Sequence, residues 1–142
     1  MKVCSHHGLV IAVLTRNEHC PPHVHVGTPT WEARFTFSFW HQGVRLWDVV
    51  PSQDAPTVSV LEGVRLTIKQ APNLRRAREI WWLSRQTLCL DRQLWDEGAQ
   101  EVVSPRDGRP GAVPIISSRF DATRYRTILH LAGHNQPLEI AL

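Results

Sequence analysis

The sequence has few cysteines and few lysines, and no hydrophobic run long enough to span a membrane. Its three cysteines, Cys4, Cys20 and Cys89, are an odd number without framework spacing, which predicts reduced thiols and argues against a disulfide scaffold. No stretch approaches the ~20 apolar residues of a membrane helix. The short apolar run that follows Lys2 also lacks the cleavage site of a signal peptide. We therefore expect a cytoplasmic protein that does not contact a membrane.

The positive charge is small and spread along the chain. The formal net charge is +3, and Lys2 and Lys69 are the only lysines, so nearly all basic residues are arginines. Arginine suits bidentate contacts to phosphate or carboxylate, although a GC-rich coding sequence gives the same bias without any function. Because there is no basic tail, non-specific binding to nucleic acid is not indicated. A phosphate-binding glycine loop, a nucleophile elbow and a Cys-x-x-Cys motif are also missing.

The hydrophobic patterns of this 142-residue chain predict one α+β domain. We expect a largely antiparallel sheet with one long helix packed on it and a C-terminal β-hairpin extension. Asn73 and Gly98 suit the two ends of the helix. Residues 1–98 are predicted to form the core, and residues 99–142 a loop and a strand pair packed on the same domain. The predicted elements are a strand at 8–14 buried on both faces, strands at 23–26, 31–39 and 44–50, a hairpin at 57–68, a helix at 74–97, and strands at 125–131 and 138–142.

Histidines are concentrated around a double proline at residues 18–26, which read Glu-His-Cys-Pro-Pro-His-Val-His-Val. The prolines fix two φ angles and remove two backbone donors, so the chain is stiff there. On a strand, His23 and His25 would point to one face, with Val24 and Val26 on the other. A stiff corner with a same-face histidine pair is the best candidate for a working site in this sequence.

The histidine cluster is open to three chemical interpretations. As a zinc site, it would use His23 and His25, with His19 as a third ligand if the chain folds back across the prolines. The remaining ligand would be His6, His7, His41 or a carboxylate. As an acid–base site, two imidazoles would divide the proton transfers of phosphodiester cleavage, with Arg34 holding phosphate and no cofactor required. In the third interpretation the histidines only brace the proline corner by donating to backbone carbonyls.

Arginines recur every seven residues along the predicted helix. Arg78, Arg85 and Arg92 would form one ridge, interrupted by Trp82. Such a ridge suits the phosphates and bases of a nucleic acid. A solvated helix face has the same pattern, so this ridge by itself does not establish a binding site.

The motif at residues 18–26, following the apolar run at 8–14, looks like the bacterial family catalogued as domain of unknown function 4160. That family continues with a short hairpin, matched by residues 31–51, and a helix carrying Trp-Leu, similar to Trp82 and Leu83. The resemblance covers about residues 3–97, with an insertion at 52–71 and further chain after residue 97. Family members resemble toxins encoded beside a short antitoxin. The resemblance therefore implies a toxin that acts through His19, His23 and His25, with an antitoxin as partner and RNA as the natural substrate.

Two functions follow as expectations. The first is a toxin-like protein that acts on RNA through the histidine cluster, with the substrate held by Arg34, Arg78, Trp82, Arg85 and Arg92. The second is a non-catalytic binding or inhibitor protein of a mobile element, which grips a protein or nucleoprotein partner through tryptophan and arginine surfaces. Zinc is a candidate cofactor in the first case and is not required in the second.

Overall fold

The computed structural model describes all 142 residues and divides them into two compact units. Unit 1 contains residues 1–38 and 42–85, and unit 2 contains residues 39–41 and 86–142. The protein has two antiparallel five-stranded sheets and two α-helices, which confirms the predicted α+β class. Neither helix combines the length and the apolar character that a membrane crossing needs.

The sheet of unit 1 is a meander in which each strand pairs with the next one along the chain. Short turns suffice between antiparallel neighbours, which is why this order follows the sequence. Its core contains alternate residues of the central strands, among them Val24, Val26, Ala33 and Phe35, all nearly or fully buried. The strands are β1 (Lys2–His6), β2 (Leu9–Ala12), β3 (His23–Gly27), β4 (Glu32–Phe37) and β5 (Val44–Val50).

Strand β2 is covered on one face only. Ile11 is fully buried, whereas the side chain of its neighbour Val10 is exposed. The prediction that residues 8–14 are buried on both faces is therefore wrong, because a run of apolar residues does not by itself show how many faces of a strand are covered.

A helix replaces the hairpin predicted at residues 57–68. Helix α1 (Val58–Lys69) begins after Thr57, whose side-chain oxygen accepts a hydrogen bond from the Val60 amide at 3.3 Å. The β-branched residues of this segment suggested strands and Gly63 suggested a turn. Gly63 instead lies inside α1, where an added Cβ would be 2.8 Å from Nε2 of His6. Close approach of another side chain, rather than a turn, explains this glycine.

The second helix is shorter than predicted and starts earlier. Helix α2 (Ala71–Arg85) includes Asn73, so this residue is not the N-cap, and Pro72 occupies the first turn, where a missing amide hydrogen is tolerated. Beyond α2, Gln86 has a φ of 54°, which is incompatible with a continuing right-handed helix. The predicted helix over residues 74–97 therefore ends twelve residues early, at Arg85.

Unit 2 contains the second sheet, whose strands are β6 (Leu94–Asp96), β7 (Glu101–Val103), β8 (Val113–Asp121), β9 (Arg126–Leu131) and β10 (Leu138–Ala141). They lie in the order β10-β9-β8-β6-β7. The predicted C-terminal hairpin is confirmed, since β9 pairs antiparallel with β10. Its core includes Phe39, which lies 5.2 Å from Phe120 between ring centroids. The predicted boundary at residue 98 falls inside this sheet, between its paired strands β6 and β7.

Candidate metal centre

The proline corner brings two histidines and a carboxylate together in unit 1. His23 and His25 are on β3, and Glu18 comes from the loop before it. The two imidazole rings lie 4.9 Å apart between centroids, while Val24 and Val26 are buried in the core. Strand alternation therefore places both histidines on the face opposite these valines, as the sequence predicts.

The ring of His23 is fixed by a backbone carbonyl, and its burial favours the neutral form. Its Nδ1 lies 2.7 Å from the carbonyl oxygen of Pro21, and since a carbonyl only accepts, Nδ1 carries the hydrogen. Burial lowers the pKa of His23 below its ordinary value of 6.5, although the Pro21 hydrogen bond and the charge of Glu18 act in the opposite direction. The fully buried Nε2 atom therefore presents a lone pair. It has no hydrogen-bond partner, yet it lies 2.5 Å from Oε2 of Glu18, outside hydrogen-bonding direction.

His25 has carboxylates at both of its nitrogens. Its Nδ1 hydrogen bonds to the carboxylate of Glu32, and its Nε2 lies 3.2 Å from each oxygen of Glu18. Glu32 thus orients the ring so that Nε2 faces the Glu18 carboxylate. A histidine fixed in this way by an outer carboxylate is the usual arrangement of a metal-ligating imidazole.

Glu18, His23 and His25 lie close enough to hold a metal ion, with their ligand atoms within 4.8 Å of one another. Zinc lies ~2.0–2.2 Å from nitrogen and oxygen ligands, so its tetrahedral ligand atoms are roughly 3.3–3.6 Å apart. The 3.2 Å from Nε2 of His25 to each Glu18 oxygen is close to this spacing, whereas the 2.5 Å from Nε2 of His23 to Oε2 of Glu18 is shorter and would have to widen around an ion. A cation between them would also offset the cost of a buried acceptor beside a carboxylate oxygen. The residues present therefore suit a divalent metal.

Two other residues of the 18–26 motif, His19 and Cys20, are not part of the metal-ligand group. His19 is exposed, and its ring centroid is 6.0 Å from that of His23; the metal-ligand group does not include it. Glu18 takes the place predicted for His19. Cys20 is disulfide-bonded, as is Cys89 in unit 2, and only Cys4 is a free thiol. The prediction of reduced thiols is therefore wrong for two of the three cysteines, and Cys20 is no candidate nucleophile.

Arg34 lies in a cross-strand row beside the metal-ligand group. The register places Arg34 on β4 opposite His25 on one side and opposite Asp48 of β5 on the other. Nε of Arg34 donates to Asp48 at 2.9 Å, and a second guanidinium nitrogen contacts the other carboxylate oxygen. These hydrogen bonds lower the pKa of Asp48 below its ordinary range. The guanidinium carbon also lies 4.0 Å from the centre of the Trp47 ring, so Arg34 is braced from two sides.

Solvent reaches the group on the side of His25. Its side chain is 15% exposed, against 0% for His23 and 6% for Glu18. His25 and Glu32 line both of two hollows, of about 280 and 250 Å³. The larger is otherwise lined by Val10, Ala12, Val26, Gly27, Thr28 and Trp31, and the smaller by Arg34, Asp48 and Val50.

The predicted arginine ridge does not exist. Arg78 is fully buried, and its Nε donates to the carbonyl oxygen of Ser38 at 2.8 Å. Arg85 is the last residue of α2, and Arg92 lies beyond the helix in a turn where its φ is 61°. Only part of Trp82 is exposed. Residues seven apart lie on one face only when a continuous helix contains them all. Helix α2 ends at Arg85, before Arg92.

Several residues of the site were not assigned roles from the sequence. Glu32 is the diagonal neighbour of His25 across the β3–β4 hairpin, since His25 pairs with Arg34. The strands predicted at 23–26 and 31–39, which residues 27–30 join, contain enough information to find this pairing. No sequence signal shows that Glu18 turns toward β3, because it lies in a loop.

Comparisons with protein-family models, with curated proteins and with solved structures find no match to this chain. The resemblance to domain of unknown function 4160 stays a prediction made from residues 3–97.

Proposed function

We propose that this protein binds zinc through Glu18, His23 and His25, and that this centre acts on RNA in a toxin-like protein. The observation that carries the metal proposal is the fully buried Nε2 of His23, which has no hydrogen-bond partner and lies 2.5 Å from a carboxylate oxygen of Glu18. Three protein ligands with a solvent-accessible side are typical of catalytic rather than structural zinc. When bound, the ion would supply a water of pKa about 7 and positive charge to a phosphodiester.

The protein's own residues have separate parts in this proposal. The Pro21 carbonyl and the Glu32 carboxylate each fix one imidazole with its Nε2 toward the ion. The negative charge of the Glu18 carboxylate offsets part of the positive charge of the metal ion. Because His23 is fully buried, it cannot touch a substrate, and this favours a ligand role over direct acid–base work.

The RNA part of the proposal depends on the metal. Around the site, the carboxylates of Glu18, Glu32 and Asp48 outnumber the one guanidinium, Arg34. A polyanion is repelled by such a surface unless a divalent cation offsets the charge. We therefore expect RNA binding to require zinc. The choice of RNA, and of an antitoxin as partner, is supported by the family resemblance alone.

Zinc content of protein purified without an affinity tag tests the metal proposal. We expect close to one zinc per chain in the wild type, and loss of zinc in His23→Ala and His25→Ala. The matched control is His19→Ala, a neighbouring exposed histidine outside the group, which should retain zinc. His25→Ala keeps the test decisive if His23→Ala fails to fold. Wild-type protein that stays metal-free after incubation with zinc, or equal loss in His19→Ala, would contradict the proposal.

Growth of a bacterial host after induction tests the toxin proposal. With equal soluble expression, the wild type and His19→Ala should arrest growth, whereas His25→Ala should not. Loss of intact RNA in the arrested cells would support RNA as the substrate. Growth with the wild type would contradict a toxin function.

A second candidate function is binding to a protein partner through β5. This strand is at the edge of its sheet, and its Leu46 and Val50 side chains are 42% and 59% exposed. A strand at the edge of a sheet with exposed apolar side chains is able to pair with a strand of another chain. Arrest of growth by wild type and His25→Ala alike would favour this function over the metal-dependent one.

A further inference from the structure

Trp47 occupies an irregular position on β5. Arg34 pairs with Asp48 and the next residue, Phe35, pairs with Leu46, so Trp47 is an extra residue in the strand. In a regular strand, Trp47 and Asp48 would point to opposite faces. Here the Trp47 ring lies beside Arg34, which Asp48 also contacts. A β-bulge of this kind re-aims a side chain, and bulges are frequent next to functional sites.

The Trp47 indole is exposed and yet held in place. It is the most exposed of the six tryptophans, with 38% of its surface accessible. The Arg34 guanidinium lies 4.0 Å from the ring centre and is itself fixed by Asp48. His23 makes an edge-to-face contact, with ring centroids 5.2 Å apart. A rigid aromatic surface loses little conformational entropy when a ligand stacks on it.

We propose that Trp47 is the stacking platform for a nucleobase of RNA bound at the Glu18–His23–His25 centre, an inference that rests on the proposed function. The ring of His23, a metal ligand in that proposal, is in direct contact with the indole. Every base has a π face, so stacking of this kind tolerates any sequence. The carboxylate-rich surroundings also favour recognition of a base over that of the phosphate backbone.

The test compares two variants and two ligands by fluorescence anisotropy with the zinc-loaded protein. Trp47→Leu removes the aromatic face but keeps apolar bulk, whereas Trp47→Phe keeps an aromatic face. The ligands are a short labelled 2′-O-methyl RNA, which resists cleavage through the 2′-hydroxyl, and an abasic phosphodiester strand of the same length. We expect Trp47→Leu to weaken RNA binding about 5-fold to 100-fold and Trp47→Phe to weaken it less than about 3-fold. Binding of the abasic strand should be weaker from the start and equal in all three proteins.

The outcomes distinguish failure of the Trp47 platform from failure of the proposed zinc-dependent function. Equal RNA binding by the wild type and Trp47→Leu overturns the platform and leaves the zinc–RNA proposal in place. Equal wild-type binding of the intact and abasic strands also overturns it, because the bases are then not contacted. If the zinc-loaded wild type binds neither strand, the RNA part of the proposed function fails together with the platform. Zinc content measured on the same samples shows whether the metal site stands.

Discussion

At the scale of single residues, the site is defined by what surrounds the lone pairs of two imidazoles. A backbone carbonyl at Pro21 and a carboxylate at Glu32 each take an Nδ1 hydrogen. Both Nε2 atoms then face Glu18. Outer partners of this kind matter nearly as much as the ligands, because they set which nitrogen is free and where it points.

Replacement of Glu32 tests this arrangement. Glu32→Ala should raise the dissociation constant for zinc about 10-fold, because the His25 ring loses its carboxylate acceptor while solvent replaces it only in part. Glu32→Gln retains an acceptor oxygen and should lose less. Competition with a chelating dye gives the constants. Asp48→Asn is the control, since Asp48 contacts Arg34; an equal effect in this variant would show that Glu32 acts through general charge.

The sequence reveals part of the site at this scale. Strand alternation predicts that His23 and His25 share a face, which depends only on local geometry. The choice of Glu18 over His19 depends on how a loop folds back, and the position of Trp47 depends on a bulge in the neighbouring strand. The spacing of residues along the sequence predicts neither the choice of Glu18 nor the position of Trp47.

At the scale of secondary structure elements, α2 contains an arginine whose role is structural because it is buried. Arg78 is fully buried, and its Nε and Nη1 atoms donate to the Ser38 carbonyl and to Gln42. An arginine that holds a connecting segment in this way contributes to stability.

The apolar period that predicted a helix to residue 97 reflects real burial, because Leu88 and Trp95 are core residues of unit 2. Periodicity records burial and does not by itself record the backbone conformation.

Alanine substitutions on α2 distinguish a structural from a binding role. Arg78→Ala should lower the free energy of unfolding by about 2–4 kcal/mol, because it removes a buried side chain and its hydrogen bond to the Ser38 carbonyl. Arg75, which is exposed and pairs with Glu79 at 2.8 Å, is the control. Its replacement by alanine should change stability by at most ~0.5 kcal/mol. Chemical denaturation measures both; an Arg78→Ala protein as stable as Arg75→Ala would contradict the structural role.

At the scale of the whole molecule, the chain does not divide at a single point. Residues 39–41 belong to unit 2 although residues on both sides belong to unit 1. Within unit 2, Phe39 packs on Phe120, and the indole nitrogen of Trp40 donates to Glu101. The sheet of unit 2 similarly needs β7 and β8 as partners of β6.

A fragment ending at residue 98 tests this organisation. It would retain Phe39, Trp40 and strand β6 without the residues that cover or pair with them. We expect this fragment to aggregate or to unfold without a cooperative transition, because apolar side chains and backbone groups are left exposed. Thermal unfolding followed by near-ultraviolet circular dichroism, with the full chain as reference, measures this. A cooperative transition in the fragment would show that residues 1–98 fold alone.

The sequence by itself determined the α+β class, the central strands, the C-terminal hairpin and the shared face of His23 and His25. These depend on alternation and on contacts between neighbouring segments, which are local in the chain. Only the tertiary structure decided the third ligand, the exposure of Trp47, the burial of Arg78 and the end of α2. Each of these depends on which residues distant in sequence contact a side chain or cover a surface. Those contacts form only when the chain is packed.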